Sequence, residues 1–154
     1  DEVVFGRGDY YAELAKRCGG ELVKPMLGKR ILFGGFHTVY DCVGSDTTLD
    51  DSLRFTAPGG KMVLVGLAAI PKGVEWTPIW LKEITVAGAL YCSTEMYEGQ
   101  RMRTYEVGMR LMAEGKIRLH GMLTHTFPLA DYKHALATAA SKKGSNAVKV
   151  AFRF

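Results

Sequence analysis

Residues 38–67 read TVYDCVGSDTTLDDSLRFTAPGGKMVLVGL. The run Phe36 to Val43 is dense in β-branched and aromatic residues, which reads as a buried strand. Asp46 is placed to cap a helix carrying Leu49 and Leu53 on one face, and Pro58-Gly59-Gly60 ends it. Lys61 to Val65 is the next strand. Strand, helix and strand in this order make a parallel pair joined by a right-handed crossover. Each strand finishes in a small-residue break, Val43-Gly44-Ser45 and Val65-Gly66-Leu67. Open α/β sheets take their ligands at such carboxyl ends. A G-x-G-x-x-G loop occurs nowhere in the chain, so the unit reads as the second half of a doubly wound sheet without its first half.

Working upstream, Val3-Val4-Phe5 reads as the tail of a buried strand and Gly6-Arg7-Gly8 as a turn. Asp9 is a cap for a helix from Tyr10 to Arg17, whose Tyr11, Leu14 and Ala15 share a face, and Gly19-Gly20 stops it. In KPMLGKRILFGG, residues 24–35, Pro25 and Gly28 break any helix, while Ile31-Leu32-Phe33 forms an extra strand before the Gly34-Gly35 turn.

Downstream, a loop through Pro71 and Gly73 leads to a short helix from Pro78 to Lys82, then a strand from Ile84 to Leu90. Met102, Tyr105, Met109 and Met112 recur at helical spacing in a segment from about Tyr97 to Glu114, and this stripe reads as core packing. Leu123 to Phe127 is a strand, Tyr132 to Ala140 a helix, and Val148 to Phe152 a closing strand. There is no internal repeat or low-complexity tract.

With 154 residues, 47% hydrophobic and 23% charged, the chain is of ordinary globular composition. Its net charge of +4 is scattered rather than gathered into a patch, which argues against a nucleic acid partner. Cys18, Cys42 and Cys92 are too widely spaced for a disulfide framework or a C-x-x-C metal site and fit a reducing, cytoplasmic compartment. No apolar run is long enough to span a bilayer, so no membrane partner is expected. The chain opens at Asp1 inside what reads as an element, and it is expected to be part of a longer polypeptide.

The segments YDCVGS, RFTAPGGKMVLVGL, EITVAGALY and HTFPLADYKHALATAASKKGSNAVKV, in this order and spacing, resemble the C-terminal half of medium-chain zinc-dependent alcohol dehydrogenases, nearest the sorbitol and threonine dehydrogenase branch. The resemblance implies an α/β fold: the C-terminal half of a Rossmann-type doubly wound parallel sheet in residues 1–116, and the returning C-terminal segment of a chaperonin-10-like catalytic domain in residues 117–154. It implies NAD or NADP as cofactor, a small-molecule alcohol or polyol as substrate, and a homo-oligomer, dimer or tetramer. Zinc would belong to the parent protein, with its ligands upstream, and the chain alone would be inactive.

Carried over by position, Cys42, Val43 and Ser45 flank the adenosine side of the cofactor. Val65, Gly66 and Leu67 lie beneath the nicotinamide, Ala89 and Tyr91 supply a further backbone contact, and Lys149 reaches the pyrophosphate. Gly44 and Gly66 would let a flat ring or ribose approach the backbone. The stretch KPMLGKRILFGGFH departs from the family's short glycine-rich segment and reads as an insertion or extra hairpin, its Lys24, Lys29 and Arg30 a solvated loop.

Other chemistries find little support. His37, His120, His125 and His134 include no i, i+4 pair and no cysteine companions, which argues against a metal site. Cys42 has no neighbouring base and reads as a small buried hydrophobe. Asp41, Glu83 and Glu106 show no spacing that selects a catalytic pair. Trp76 and Trp80 read as packing residues, although the family places subunit contacts in this region. The alternative reading is a zinc-less, quinone-reductase-like or non-enzymatic binding relative of the same fold.

Overall fold

The computed structural model describes every residue except Asp1, Arg7 and Tyr91, and describes Lys142 and Lys143 by their backbone. The chain falls into two compact units, residues 1–91 and 92–154.

In the first unit, α1 (Tyr10–Cys18) starts where the Asp9 carboxylate accepts the Ala12 amide at 3.1 Å and buries Tyr11 and Ala15. A hairpin follows, β1 (Glu21–Val23) antiparallel to β2 (Ile31–Phe33), with Leu22 opposite Leu32. The extra strand at Ile31 therefore exists, and its partner at Glu21–Val23 is new.

The main sheet is parallel in the order β3 (Phe36–Asp41), β4 (Thr56–Leu64), β5 (Thr85–Gly88). Helix α2 (Asp46–Phe55) links β3 to β4, and the short α3 (Thr77–Leu81), with Pro78 in its first turn, precedes β5. Leu49 and Leu53 of α2 pack on Met62 of β4 and on Ile84, with Leu64, Val74 and Ile79 around them. Each such side chain contributes about 1.5–3 kcal/mol when fully buried. This cluster is the core that fixes the two strand ends.

Several expectations need correction. Val3-Val4-Phe5 forms no strand, and Val3 and Phe5 are exposed. Among the described residues no strand lies beside it to complete a ladder. Strand β3 is not buried throughout: Tyr40 is exposed and only Asp41 is fully covered. Cys42 is exposed as well, just beyond the strand. Helix α2 is capped by Ser45, not Asp46, because Asp46 already lies within the helix.

In the second unit, β6 (Thr94–Tyr97) and β7 (Gln100–Arg103) form a hairpin where a longer helix is expected, and α4 is confined to Thr104–Ala113. The turn residues Glu98 and Gly99 both take positive φ, the geometry of a tight two-residue hairpin turn. The methionine stripe is not core packing here, since Tyr105, Met109 and Met112 are exposed. Strand β8 (Leu123–Pro128) pairs in parallel with β9 (Lys149–Arg153). The helices α5 (Tyr132–Ala140) and α6 (Lys142–Ser145) connect them, with Ala135 and Thr138 buried.

Candidate functional site

The carboxyl ends of β3 and β4 are locked together by Asp41, which is 2% exposed. Its backbone carbonyl accepts the amides of Val65 (2.9 Å) and Gly66 (2.8 Å). Its carboxylate Oδ1 accepts those of Val43 (2.9 Å) and Gly44 (3.0 Å). One buried residue thus organises four amides from two loops. The second oxygen, Oδ2, is buried with no partner among the described residues.

The two loops also touch directly. A β-carbon on Gly44 would sit 2.8 Å from the amides of Leu67 and Ala68, and Gly44 has φ +77°. A β-carbon on Gly66 would overlap the backbone of Val43 and Gly44. Both glycines are required by loop-on-loop packing, so the space that sequence reasoning left for a ring or ribose is filled by backbone.

What the loops present outward is apolar. Val43 is 64% exposed and Leu67 87% exposed, with Val65 also open to solvent. Ser45 is exposed but caps its own helix: its hydroxyl accepts the Thr48 amide at 3.2 Å, and Thr48 Oγ1 accepts the Ser45 amide at 3.1 Å. Ala89, just past β5, gives its amide to the Leu64 carbonyl at 2.9 Å. Cys42, Val43, Ser45, Val65, Gly66, Leu67 and Ala89 are therefore gathered at one edge of the sheet. Lys149 is exposed on β9 in the second unit, and Tyr91 lies outside the described residues.

Beside β3 lies a cavity of about 480 Å³ lined by Tyr10, Asp41, Cys42, Val43, Thr48 and Asp51, among others. Asp51 accepts the hydroxyls of Tyr10 (2.6 Å) and Tyr11 (2.5 Å). The bond to Asp51 and partial burial push the Tyr10 phenol up to about 12. Burial first, then the same carboxylate, raises Tyr11 further. Both phenols stay neutral donors.

Two ionic groups were not legible as a pair with partners. Asp50 and Arg54, one turn apart on α2, are each 1% exposed. Arg54 Nε donates to Asp50 Oδ2 at 3.1 Å, and Lys29 Nζ reaches the same oxygen at 2.8 Å. Burial works to raise the Asp50 carboxyl, but the Arg54 and Lys29 bonds outweigh it and hold it below its ordinary value. Arg30 pairs with Asp9. Lys29 and Arg30 of the insertion are thus tied to carboxylates rather than left solvated, while Lys24 is exposed as expected. The i, i+4 spacing of Asp50 and Arg54 was the available signal. Lys82, 2% exposed, donates to the carbonyls of Leu32 (2.9 Å), Arg54 (2.6 Å) and Thr56 (2.7 Å).

Among the described residues no group of three His, Cys, Asp or Glu side chains is arranged to hold a metal ion. Among the same residues no helix is long and apolar enough to cross a membrane.

The zinc-binding dehydrogenase family profile matches residues 3–106, and the chain belongs to that family. It is similar to L-idonate 5-dehydrogenase of Vitis vinifera, 32% identical over 120 residues, covering 77% of this chain and 30% of that protein. The crystal structure of 2R,3R-butanediol dehydrogenase from Bacillus subtilis matches with a TM-score of 0.66 at 23% identity, over 97% of this chain and 36% of that one. A structure described as a short chain alcohol dehydrogenase from E. coli CFT073 complexed with cofactor NADH matches at 0.61 and 19% identity, over 78% and 33% of the two chains. The fold is α/β, with a parallel sheet corresponding to the C-terminal half of a Rossmann-type domain. The chain spans about a third of the length of these relatives.

Proposed function

We propose that this chain forms part of the NAD(P) site of an oxidoreductase that moves a hydride between an alcohol or polyol carbon and the nicotinamide. The observation that carries this reading is the shared edge of β3, β4 and β5, where two interlocked loops expose Val43, Val65 and Leu67 in a chain of the zinc-binding dehydrogenase family. The likeness to a fold described with bound NADH supports the same cofactor class.

An apolar rim beside a cavity of about 480 Å³ that also carries hydroxyls and carboxylates fits an adenosine, which has a flat face and several donors. Cys42, Val43 and Ser45 take that side, Ser45 by holding the start of α2 rather than by its own hydroxyl. Val65, Gly66 and Leu67 take the nicotinamide side, where Asp41 fixes the loop before any ligand arrives. Such preorganisation lowers the ordering cost of binding. Ala89, its amide committed to Leu64, offers its carbonyl, and Tyr91 and Lys149 are assigned by family position alone.

Zinc does not fit the described residues of this chain, so no step here runs through it. In the parent protein its ligands would stand on other segments, as would the glycine loop for the pyrophosphate. On this reading residues 1–116 belong to the dinucleotide domain and residues 117–154 to the catalytic domain. The exposed Trp76 and Trp80 then suit a contact between subunits of a homo-oligomer.

Amide shift mapping with NADH at millimolar concentration tests the reading. Shifts confined to residues 42–45, 65–67 and 89 are expected. Shifts centred on the β6–β7 hairpin, or none, would overturn it.

A further inference from the structure

The insertion at residues 24–30 has a physical role that its exposed tip conceals. Met26 and Leu27 point to solvent, but the root of the loop is wired through α2 to the segment that follows β4. Arg54 donates to the Lys29 carbonyl at 2.9 Å from one guanidinium nitrogen and to Glu75 from another. Asp50 receives Lys29 Nζ on Oδ2 at 2.8 Å and the Glu75 amide on Oδ1 at 3.0 Å. The insertion also approaches that segment directly, since a β-carbon on Gly28 would stand 2.6 Å from Glu75 Oε2. One turn earlier on α2, Asp46 accepts the Lys72 amide at 2.9 Å.

Asp50 and Arg54 are sealed from water, so neither can trade its partners for solvent. A buried charge pair held by additional bonds on both sides has one low-energy arrangement and is costly to leave half satisfied. Lys29 closes the shell of Asp50 from the insertion, and Glu75 closes that of Arg54 from the segment after β4. Moving either segment exposes the same deficit.

We infer that the inserted loop is a positioning element: through Lys29, Asp50, Arg54 and Glu75 it sets the course of the segment around Glu75 that leads from β4 into α3. The value of this to the cofactor site rests on the function proposed above. The coupling itself does not, because it can be read without any ligand.

Site-resolved amide exchange on the full chain tests it. In Lys29→Met, whose side chain is more than half exposed and whose loss leaves the core intact, the Glu75 amide exchanges about tenfold faster. The ladder amides of Met62 and Val63 stay within twofold of the wild type. Lys29→Arg restores protection at Glu75. Gly28→Ala, which forces the insertion against Glu75 by another route and strains a φ of +91°, raises exchange at the same amide. Unchanged exchange at Glu75 in both Lys29→Met and Gly28→Ala would overturn the inference. So would a uniform rise across the unit in Lys29→Met, which would mark general destabilisation. Failure of NADH to shift the strand-end amides would strike the functional reading and leave this one standing.

Discussion

Gly66 lies against Gly44 so closely that neither position has room for a β-carbon. The two strand ends of the candidate site are therefore one backbone unit, with Asp41 bonded to both loops. Gly66→Val must drive these loops apart. Overpacking of this kind costs about 1–3 kcal/mol. The urea midpoint should fall accordingly, and any loss of cofactor binding should accompany it. A variant with wild-type stability and impaired binding alone would show that the side chain meets ligand instead of backbone.

Ser45 separates two roles. Its hydroxyl is committed to the Thr48 amide, so Ser45→Ala should lose about 1 kcal/mol of stability through the missing cap. Ser45→Asp, which also caps and adds a favourable negative charge at the helix start, should restore it. Chemical denaturation of the three proteins decides the matter.

Asp50→Asn leaves the buried Arg54 guanidinium short of its principal counter-charge. Breaking one side of a buried pair costs about 3–5 kcal/mol. The same network sets the acid limit of the fold. Asp50 and Glu75 are both held below their ordinary values, Glu75 chiefly by its bond to Arg54. Their contribution is complete above the ordinary carboxylate range and disappears as pH falls through the lowered values. Acid unfolding of Asp50→Asn should begin from a lower plateau and show a shallower dependence on pH.

Lys82 governs the alkaline side. Burial, then the charge of Arg54, pushes its ammonium down from 10.5 to about 8. The folded state gives up this proton before the unfolded state does. The contribution of Lys82 should therefore be constant below about pH 8 and become more favourable between about pH 8 and 10.5, an increase opposed in size by the three carbonyls that hold the ammonium. Lys82→Met should abolish the rise. Urea midpoints measured in steps of one pH unit test the sign, and a wild-type decline over that window would refute it.

The strand, helix, strand order of residues 38–67 was legible because β-branched runs and an apolar helix face need no distant partner, but Pro58-Gly59-Gly60 does not end the helix: α2 stops at Phe55 and these residues lie within β4. The register confirms the order, with Thr38 beside Lys61 and Tyr40 beside Val63. The β6–β7 hairpin was missed because Met102 and Tyr105 mimic a helical spacing across a strand-to-helix boundary. The pair Glu98-Gly99 was the signal to weigh. Val43, Val65 and Leu67 were legible as strand-end residues, and the structure places them exposed there. Asp41 was set aside, since the amides of Val65 and Gly66 reach it only across the sheet, although those of Val43 and Gly44 are local to it.

By itself the sequence determined the strand, helix, strand order of residues 38–67 and the family resemblance. Only the tertiary structure decided what the glycines and the buried charges do. Gly44 meets Gly66, and Lys29 meets Asp50, across gaps of more than twenty residues. Steric exclusion and the desolvation of ions act over a few ångströms of space, and such neighbours are set by the fold rather than by adjacency in the chain.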